Sequence, residues 1–265
     1  MRMNGTIPAS RVSWTAGALS SQVIHALNAG ALILLGSREH QNGRGRSILC
    51  GIAALMSDAT VTFMAVHGRG LVSITVNTET AFRLGLRRMS RAGQCAAAKS
   101  RFLISIEASA CRGTGISASD RAATLRAAGA PQASQDDLVT PGHVMPYLVA
   151  ETLSARSGLP EAAHAMVASC SAYEGAAWCD VLGESGDLAS LDESVCLARH
   201  GGLDFVVADD IGPMSIAAME CTPPWREIAP TSTGSQLMHP SISAMSVRSV
   251  DHQGGPVPPD GVACC

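Results

Sequence analysis

Apolar and polar positions along the chain switch between a helical and an extended period, and the switches divide it into elements. Ser20 to Asn28 opens on a serine cap and carries Val23, Ala26 and Leu27 at helical spacing, which predicts a helix. Ala31 to Leu35 is an apolar run that reads as a buried strand. Gly36 to Ser47 (GSREHQNGRGRS) is polar and glycine-rich, so it reads as a loop. Ser57-Asp58 caps a helix bearing Val61, Met64 and Ala65, which ends at Gly68. Leu71 to Val76 and Phe102 to Ala108 alternate as strands do. Between them, Glu79 to Leu84 is a short helix and Arg87 to Arg101 a basic, small-residue loop.

The second half continues in the same way. Ser117 to Ala128 reads as a helix with Ser117 or Ser119 as its cap and Asp120 in the first turn, where the helix dipole favours an acid. Leu138 to Gly142 is a loop by its turn residues, and Val144 to Val149 a strand interrupted by Pro146. Pro160 to Cys170 is a helix with proline in its first turn. Ala176 to Leu182 is a strand, Leu191 to His200 a helix, and Phe205 to Ala208 a closing strand. Helices and strands interleave without a strict βαβ rhythm, which predicts an α+β chain, a mixed sheet with helices on its faces. Residues 1–19 are expected as a loose arm, 20–220 as the folded domain, and 221–265 as a poorly packed tail rich in proline and serine.

Composition narrows the function. With 46% hydrophobic and 15% charged residues the chain is globular, and its 265 residues suffice for a sizeable core. A net charge of -3 without a basic run gives no nucleic-acid footprint. No apolar run reaches the roughly 18 residues of a membrane span, and no signal peptide is apparent, so a cytoplasmic protein is expected. Lys99 is the only lysine, a codon-usage bias that suggests a GC-rich bacterial genome. The 9 cysteines lack the clustered spacing of a zinc site, and the internal ones read as mostly free thiols, several of them buried.

Four stretches carry a family resemblance. His67-Gly68-Arg69-Gly70-Leu71 is similar to an HGRGL segment, and Thr114 to Thr124 (TGISASDRAAT) matches TGISAxDRxxT. Thr140 to Pro146 (TPGHVMP) is similar to RPGHVFP, and Leu203 to Ile211 to a closing strand with an acidic end. Together they resemble 3,4-dihydroxy-2-butanone 4-phosphate synthases over about residues 20 to 212. The resemblance implies a three-layer α/β/α fold with a mixed twisted sheet, and a homodimer with active sites near the subunit boundary. It also implies an enzyme that enolises ribulose 5-phosphate, rearranges its skeleton and expels formate with the help of a divalent ion.

The family's metal ligands lie in an acidic (D)EDRENEGD loop, a GHTEA histidine and a later glutamate, and the sequence departs at each. RENEGD falls on Gln41 to Arg46, and in a register shifted by two the metal-binding glutamate becomes Arg44. GHTEA reads Gly158-Leu159-Pro160-Glu161-Ala162, with leucine in place of the histidine. The later glutamate is Asp180, one methylene shorter. A hard cation needs oxygen ligands, so no metal and no other cofactor is expected.

The change from acids to arginines favours an anionic group where the ion sat. The expected catalytic residues are therefore His143, Asp120 and Thr114, and the expected substrate-binding residues Arg44, Arg46, Arg121, Ser117 and His67. Each has a plainer reading: Asp120 and Ser117 as helix caps, His67 as a helix C-terminal residue, and the arginines as a solvated loop. His164, five residues past Leu159, lies about 140° around the helix. The expected function is a repurposed, metal-independent enzyme of bacterial specialised metabolism acting on an anionic or polyketonic small molecule. The alternatives are a non-catalytic binding homologue, or an ordinary riboflavin-pathway lyase with shifted ligands.

Overall fold

The computed structural model describes residues 14–15, 18–37, 45–89, 101–149 and 158–208. The tail expected from residue 221 lies outside the described residues, as does most of the expected N-terminal arm. Within that arm, β1 (Trp14–Thr15) and β2 (Ala18–Leu19) pair antiparallel.

Seven strands form one mixed sheet. They are β3 (Ile33–Ser37), β4 (Arg46–Ile52), β5 (Ser73–Val76), β6 (Ile106–Ala108), β7 (Leu138–Leu148), β8 (Ala176–Asp180) and β9 (Phe205–Val207). Their order across the sheet is β6-β7-β5-β8-β4-β3-β9. β5 with β7 and β3 with β9 are parallel, and the other pairs are antiparallel. Among the described residues six α-helices accompany them: α1 (Ser21–Asn28), α2 (Asp58–Phe63), α3 (Thr78–Arg83), α4 (Ala118–Gly129), α5 (Leu159–Cys170) and α6 (Leu191–Gly201).

Alternation along the strands builds a core on each face, because successive side chains point to opposite sides. Leu34, Leu49, Ile74, Ala177, Cys179 and Val207 pack with Val61 of α2, Leu125 of α4 and Ala198 of α6. Ile33, Leu35, Ile48, Cys50 and Trp178 pack with Val23 and Leu27 of α1 and with Ala163, Met166 and Val167 of α5. The result is the expected three-layer α/β/α arrangement. The helix starts follow their caps: Ser20, Ser57, Asn77, Ser117 and Ser190 each accept a backbone N–H from the first turn.

Three local expectations are corrected. The loop assigned to Gly36–Ser47 takes in the end of β3 and the start of β4, and β4 itself went unread. It lies between β3 and β8, buried on both faces except at Arg46, so it shows an apolar run without alternation behind an Arg/Gly prefix that reads as turn. Leu138–Gly142 is strand rather than loop, the first part of β7. The ladder between β6 and β7 jumps there: Ile106 pairs with Val144, but Glu107 pairs with Val139, leaving Thr140–His143 bulged out of register. Finally, Phe102–Ala108 is shorter as a strand than its alternation suggests, with Phe102 and Leu103 forming only isolated bridges. Among the described residues no helix is long and apolar enough to cross a membrane.

Candidate functional site

The bulge in β7 places His143 against β6. Gly142 permits this, since a Cβ there would lie 2.2 Å from the carbonyl carbon and oxygen of Ile106. Its N–H donates to Ser105 Oγ at 3.2 Å. His143 Nδ1 then lies 3.2 Å from Glu107 Oε2, with the histidine 41% and the glutamate 15% exposed. The Glu107 carboxylate is pressed on the other side against Gly115, where a Cβ would come within 1.8 Å of Oε2. Gly115 has φ +79°, a left-handed conformation open to glycine at low cost. Three stretches distant in sequence, the end of β6, the TGIS turn and the PGH bulge, therefore meet at one carboxylate.

The start of α4 completes this group. Ser117 caps it by accepting from Asp120 N at 3.0 Å, so the plain capping reading of Ser117 holds. The Asp120 carboxylate folds back toward Gly113, whose Cβ would meet Oδ2 at 2.8 Å. The Asp120 carbonyl accepts from Thr124 Oγ1 at 2.8 Å, and Thr124 also accepts from Ala108 N at 3.0 Å. Thr114 is exposed beside Gly115.

A second group stands at the same end of the sheet, where β4 begins and β8 ends. Arg46 donates to Asp180 Oδ1 through Nε at 2.9 Å and through Nη2 at 2.5 Å. Gly70 of the HGRGL stretch lies on Asp180, with room for no Cβ against the Asp180 carbonyl, 2.7 Å away. Arg121 reaches toward this group from α4. Its charge opposes the burial that pushes the neighbouring Cys179 thiol up to about 12, and its Nε is buried with no hydrogen-bond partner among the described residues. His67 is exposed and tilts against the Phe63 ring at 4.4 Å, and among the described residues no hydrogen bond ties it to His143 or Asp180. Arg44 lies outside the described residues.

Sequence reasoning left Glu107, Tyr147, Glu161 and Arg101 out of the site. Glu161 is buried and accepts from Gly158 N at 3.0 Å and from the Tyr147 hydroxyl at 3.2 Å, with Arg101 Nη1 at 3.3 Å. Burial first, then the Glu161 carboxylate, pushes the Tyr147 phenol up to about 12, opposed by Arg101 and Arg46. A charged residue at the end of an alternating strand was the available signal for Glu107, but its partner came from an unread bulge. Cys50 is buried inside β4, and burial pushes its thiol up, so it is inert as a nucleophile. Cys95 lies outside the described residues.

The described residues do not fit a hard cation at the positions the family pattern assigns to one. Asp180 is committed to Arg46, and Leu159 is buried in the apolar core beneath α5. Among the described residues no group of three His, Cys, Asp or Glu could hold a metal ion.

Comparison with known proteins places these stretches in context. The sequence profile of 3,4-dihydroxy-2-butanone 4-phosphate synthase matches residues 21–213. The chain is 33% identical over 193 residues to the 3,4-dihydroxy-2-butanone 4-phosphate synthase of Pseudomonas aeruginosa, covering 72% of this chain and 52% of that protein. It is 31% identical over 192 residues to that of Vibrio harveyi, covering 72% of this chain and 82% of that one. The chain thus spans about half the length of several relatives it matches, the Pseudomonas protein among them. The crystal structure of RibBX, a two-domain 3,4-dihydroxy-2-butanone 4-phosphate synthase from A. baumannii, superposes with TM-score 0.63 at 28% identity, over 71% of this chain and 55% of that one. A 3,4-dihydroxy-2-butanone 4-phosphate synthase in complex with two magnesium ions gives TM-score 0.63 at 25% identity, over 71% and 92%.

The glycine contacts make a testable contrast. Gly115→Ala should destabilise the protein by about 2 kcal/mol or more, since it combines a left-handed φ with a clash against a held carboxylate. Gly113→Ala should cost less, because its φ is ordinary and the Asp120 carboxylate can swing away. Thermal unfolding of the two variants checks this, and equal losses would contradict it.

Proposed function

Because the chain belongs to the 3,4-dihydroxy-2-butanone 4-phosphate synthase family, we propose that it is a divergent enzyme of that family working without a divalent cation. Its substrate is an anionic or polyketonic small metabolite, and the reaction is enolisation, rearrangement, cyclisation or lyase chemistry in bacterial specialised metabolism. The observation that carries the reading is the replacement at the cation position: Asp180 held by Arg46, and leucine at 159 in the apolar core.

The remaining groups suit proton transfer. Glu107 holds His143 Nδ1, which orients the ring and stabilises it once protonated, while Nε2 is left to take a proton from a carbon next to a carbonyl. The electron pair moves to the carbonyl oxygen as an enolate. Among the described residues Arg46 Nη1 makes no hydrogen bond, and with Arg121 it offsets negative charge on the substrate or enolate. Thr114, beside Gly115, and Asp120, folded toward Gly113, belong to the proposed catalytic set, with Ser117, His67 and Arg44 as further substrate contacts. A homodimer and a cytoplasmic location are part of the proposal. A second reading, the ordinary ribulose-5-phosphate lyase with shifted ligands, draws support from the overall family match and from Glu39 and His40 in the altered loop.

Three measurements test this. With ribulose 5-phosphate and magnesium, the protein should release no chelator-sensitive formate. Release at about 1 per minute or faster, abolished by a chelator, would establish the second reading instead. Light scattering at micromolar protein should report twice the monomer mass, and a monomer there would remove the dimer. On the metabolite that accumulates in a deletion strain, His143→Ala and Arg46→Ala should each weaken turnover at least about tenfold, roughly 1.4 kcal/mol, with little change in Tm. Full activity in both variants would move the site elsewhere.

A further inference from the structure

His164 is a buried titratable group that the proposed reaction leaves unused. It stands on α5 and is 7% exposed. Its Nδ1 lies 3.0 Å from Thr75 Oγ1 on β5. The same oxygen accepts from Ala176 N, at the start of β8, at 2.9 Å. The one hydroxyl proton has two acceptors within reach, and the Ala176 carbonyl is the more distant at 3.4 Å. The shorter contact takes the proton, so Nδ1 accepts and Nε2 carries the ring hydrogen. This arrangement joins α5, β5 and β8 and holds only while the imidazole is neutral. A proton on Nδ1 turns that acceptor into a donor, and the two donors then face each other.

The ring also borders a cavity of about 160 Å³ between α3, the end of α4, α5 and the turn before β8. A single water needs only roughly 10–15 Å³ of such space, so a displaced imidazole has somewhere to go. Glu174, from the turn before β8, lines this cavity with Glu79 and Arg83 of α3. Glu174 Oε2 accepts from Asn77 Nδ2 at 3.0 Å and from Thr80 Oγ1 at 3.5 Å, which fixes the carboxylate. Arg83 is turned to the Ala133 carbonyl through Nη1. On β7, Tyr147 pairs with Thr75 and keeps its proton up to about 12, while Glu161, earlier on α5, is met by Arg101. The other elements packed on α5, which are β3, β4, β8 and α1, meet it through apolar side chains and the neutral Cys50 thiol.

We propose that His164 is an acid-responsive latch. Neutral, it ties α5 to β5 and β8 through Thr75. Protonated, it leaves the hydroxyl and turns into the cavity toward Glu174, and Thr75 gives its proton to the Ala176 carbonyl. Each state has partners for its own donors and acceptors, so one proton selects between them. The cavity makes the second state reachable, since close packing would hold the ring against Thr75 at any pH. Burial of the ring lowers its pKa from the ordinary 6.5, and the Glu174 charge opposes that shift. The latch is therefore closed at neutral pH. The unfolded chain takes up the proton first as pH falls through 6.5, so acid favours unfolding until the folded ring is itself protonated.

The test is a pH titration of the full chain, labelled with ¹⁵N, followed by NMR. The His164 ring should titrate below 6.5 in the folded protein, and the Thr75 and Ala176 amides should shift with the same midpoint. Glu174→Gln, a change at an exposed residue, should move the midpoint further down. Thr75→Val removes the donor to Nδ1 and should move it up. If Thr75→Val does not fold, the wild-type and Glu174→Gln titrations still decide. A ring that titrates at 6.5 or above would overturn the proposal. So would a ring that stays neutral until the chain unfolds, amides that do not follow the ring, or a midpoint that Glu174→Gln leaves in place or raises.

Discussion

The candidate site depends on one contact in which backbone lies directly on backbone. Gly142 crosses the Ile106–Glu107 peptide so closely that no methyl group fits between them. Without that approach the four bulged residues could not leave the ladder, and His143 would continue the strand instead of meeting Glu107. A second contact of the same kind, Gly115 on the Glu107 carboxylate, then fixes the turn that leads into α4. The glutamate is gripped from two sides by main chain, and its position is set by the absence of side chains around it. Large-to-small logic applies in reverse here, since added atoms would be felt more than removed ones.

Charge at the neighbouring group follows a different rule. Arg46 and Asp180 are each one quarter exposed, so their pairing is neither a screened surface bridge nor a fully buried one. The arginine spends Nε and Nη2 on the aspartate. The charge of Arg46 is therefore partly answered from within, and what the aspartate leaves open is one face of a guanidinium held in place. A positioned cation of this kind can grip an anionic group more selectively than a mobile arginine would, because its side-chain entropy is already lost.

Most of the architecture was legible in the sequence, and the failures share a cause. Helices declared themselves through caps at Ser20, Ser57 and Ser117 and through apolar spacing. The strand over Leu71–Val76 declared itself by alternating apolar and hydroxyl side chains, although β5 is buried along its whole length. β4 did not, because its buried stretch from Ile48 is an apolar run with no period to read, and its charged, glycine-rich approach imitates a turn. The first half of β7 did not, because Pro141 and Gly142 are turn residues by local chemistry and strand residues only through the bulge that the sheet imposes. The same bulge hid Glu107 as a partner for His143. Single residues of the site were readable; the contacts between them depended on strand register, which no local pattern encodes.

The two histidines show how placement divides chemistry between the ends of the sheet. His143 is well exposed, and the Glu107 carboxylate lies on its Nδ1. His164 is enclosed, with a neutral hydroxyl on Nδ1, and burial disfavours its protonated form. It lies five residues beyond Leu159 on α5, about 140° around the helix, so it cannot turn toward the position that leucine occupies. Loss of the imidazole at 159 was therefore not repaired by its neighbour on the same helix. The proposed base chemistry thus lies at the end where a carboxylate meets the ring, and the enclosed imidazole is held to a hydroxyl at the other.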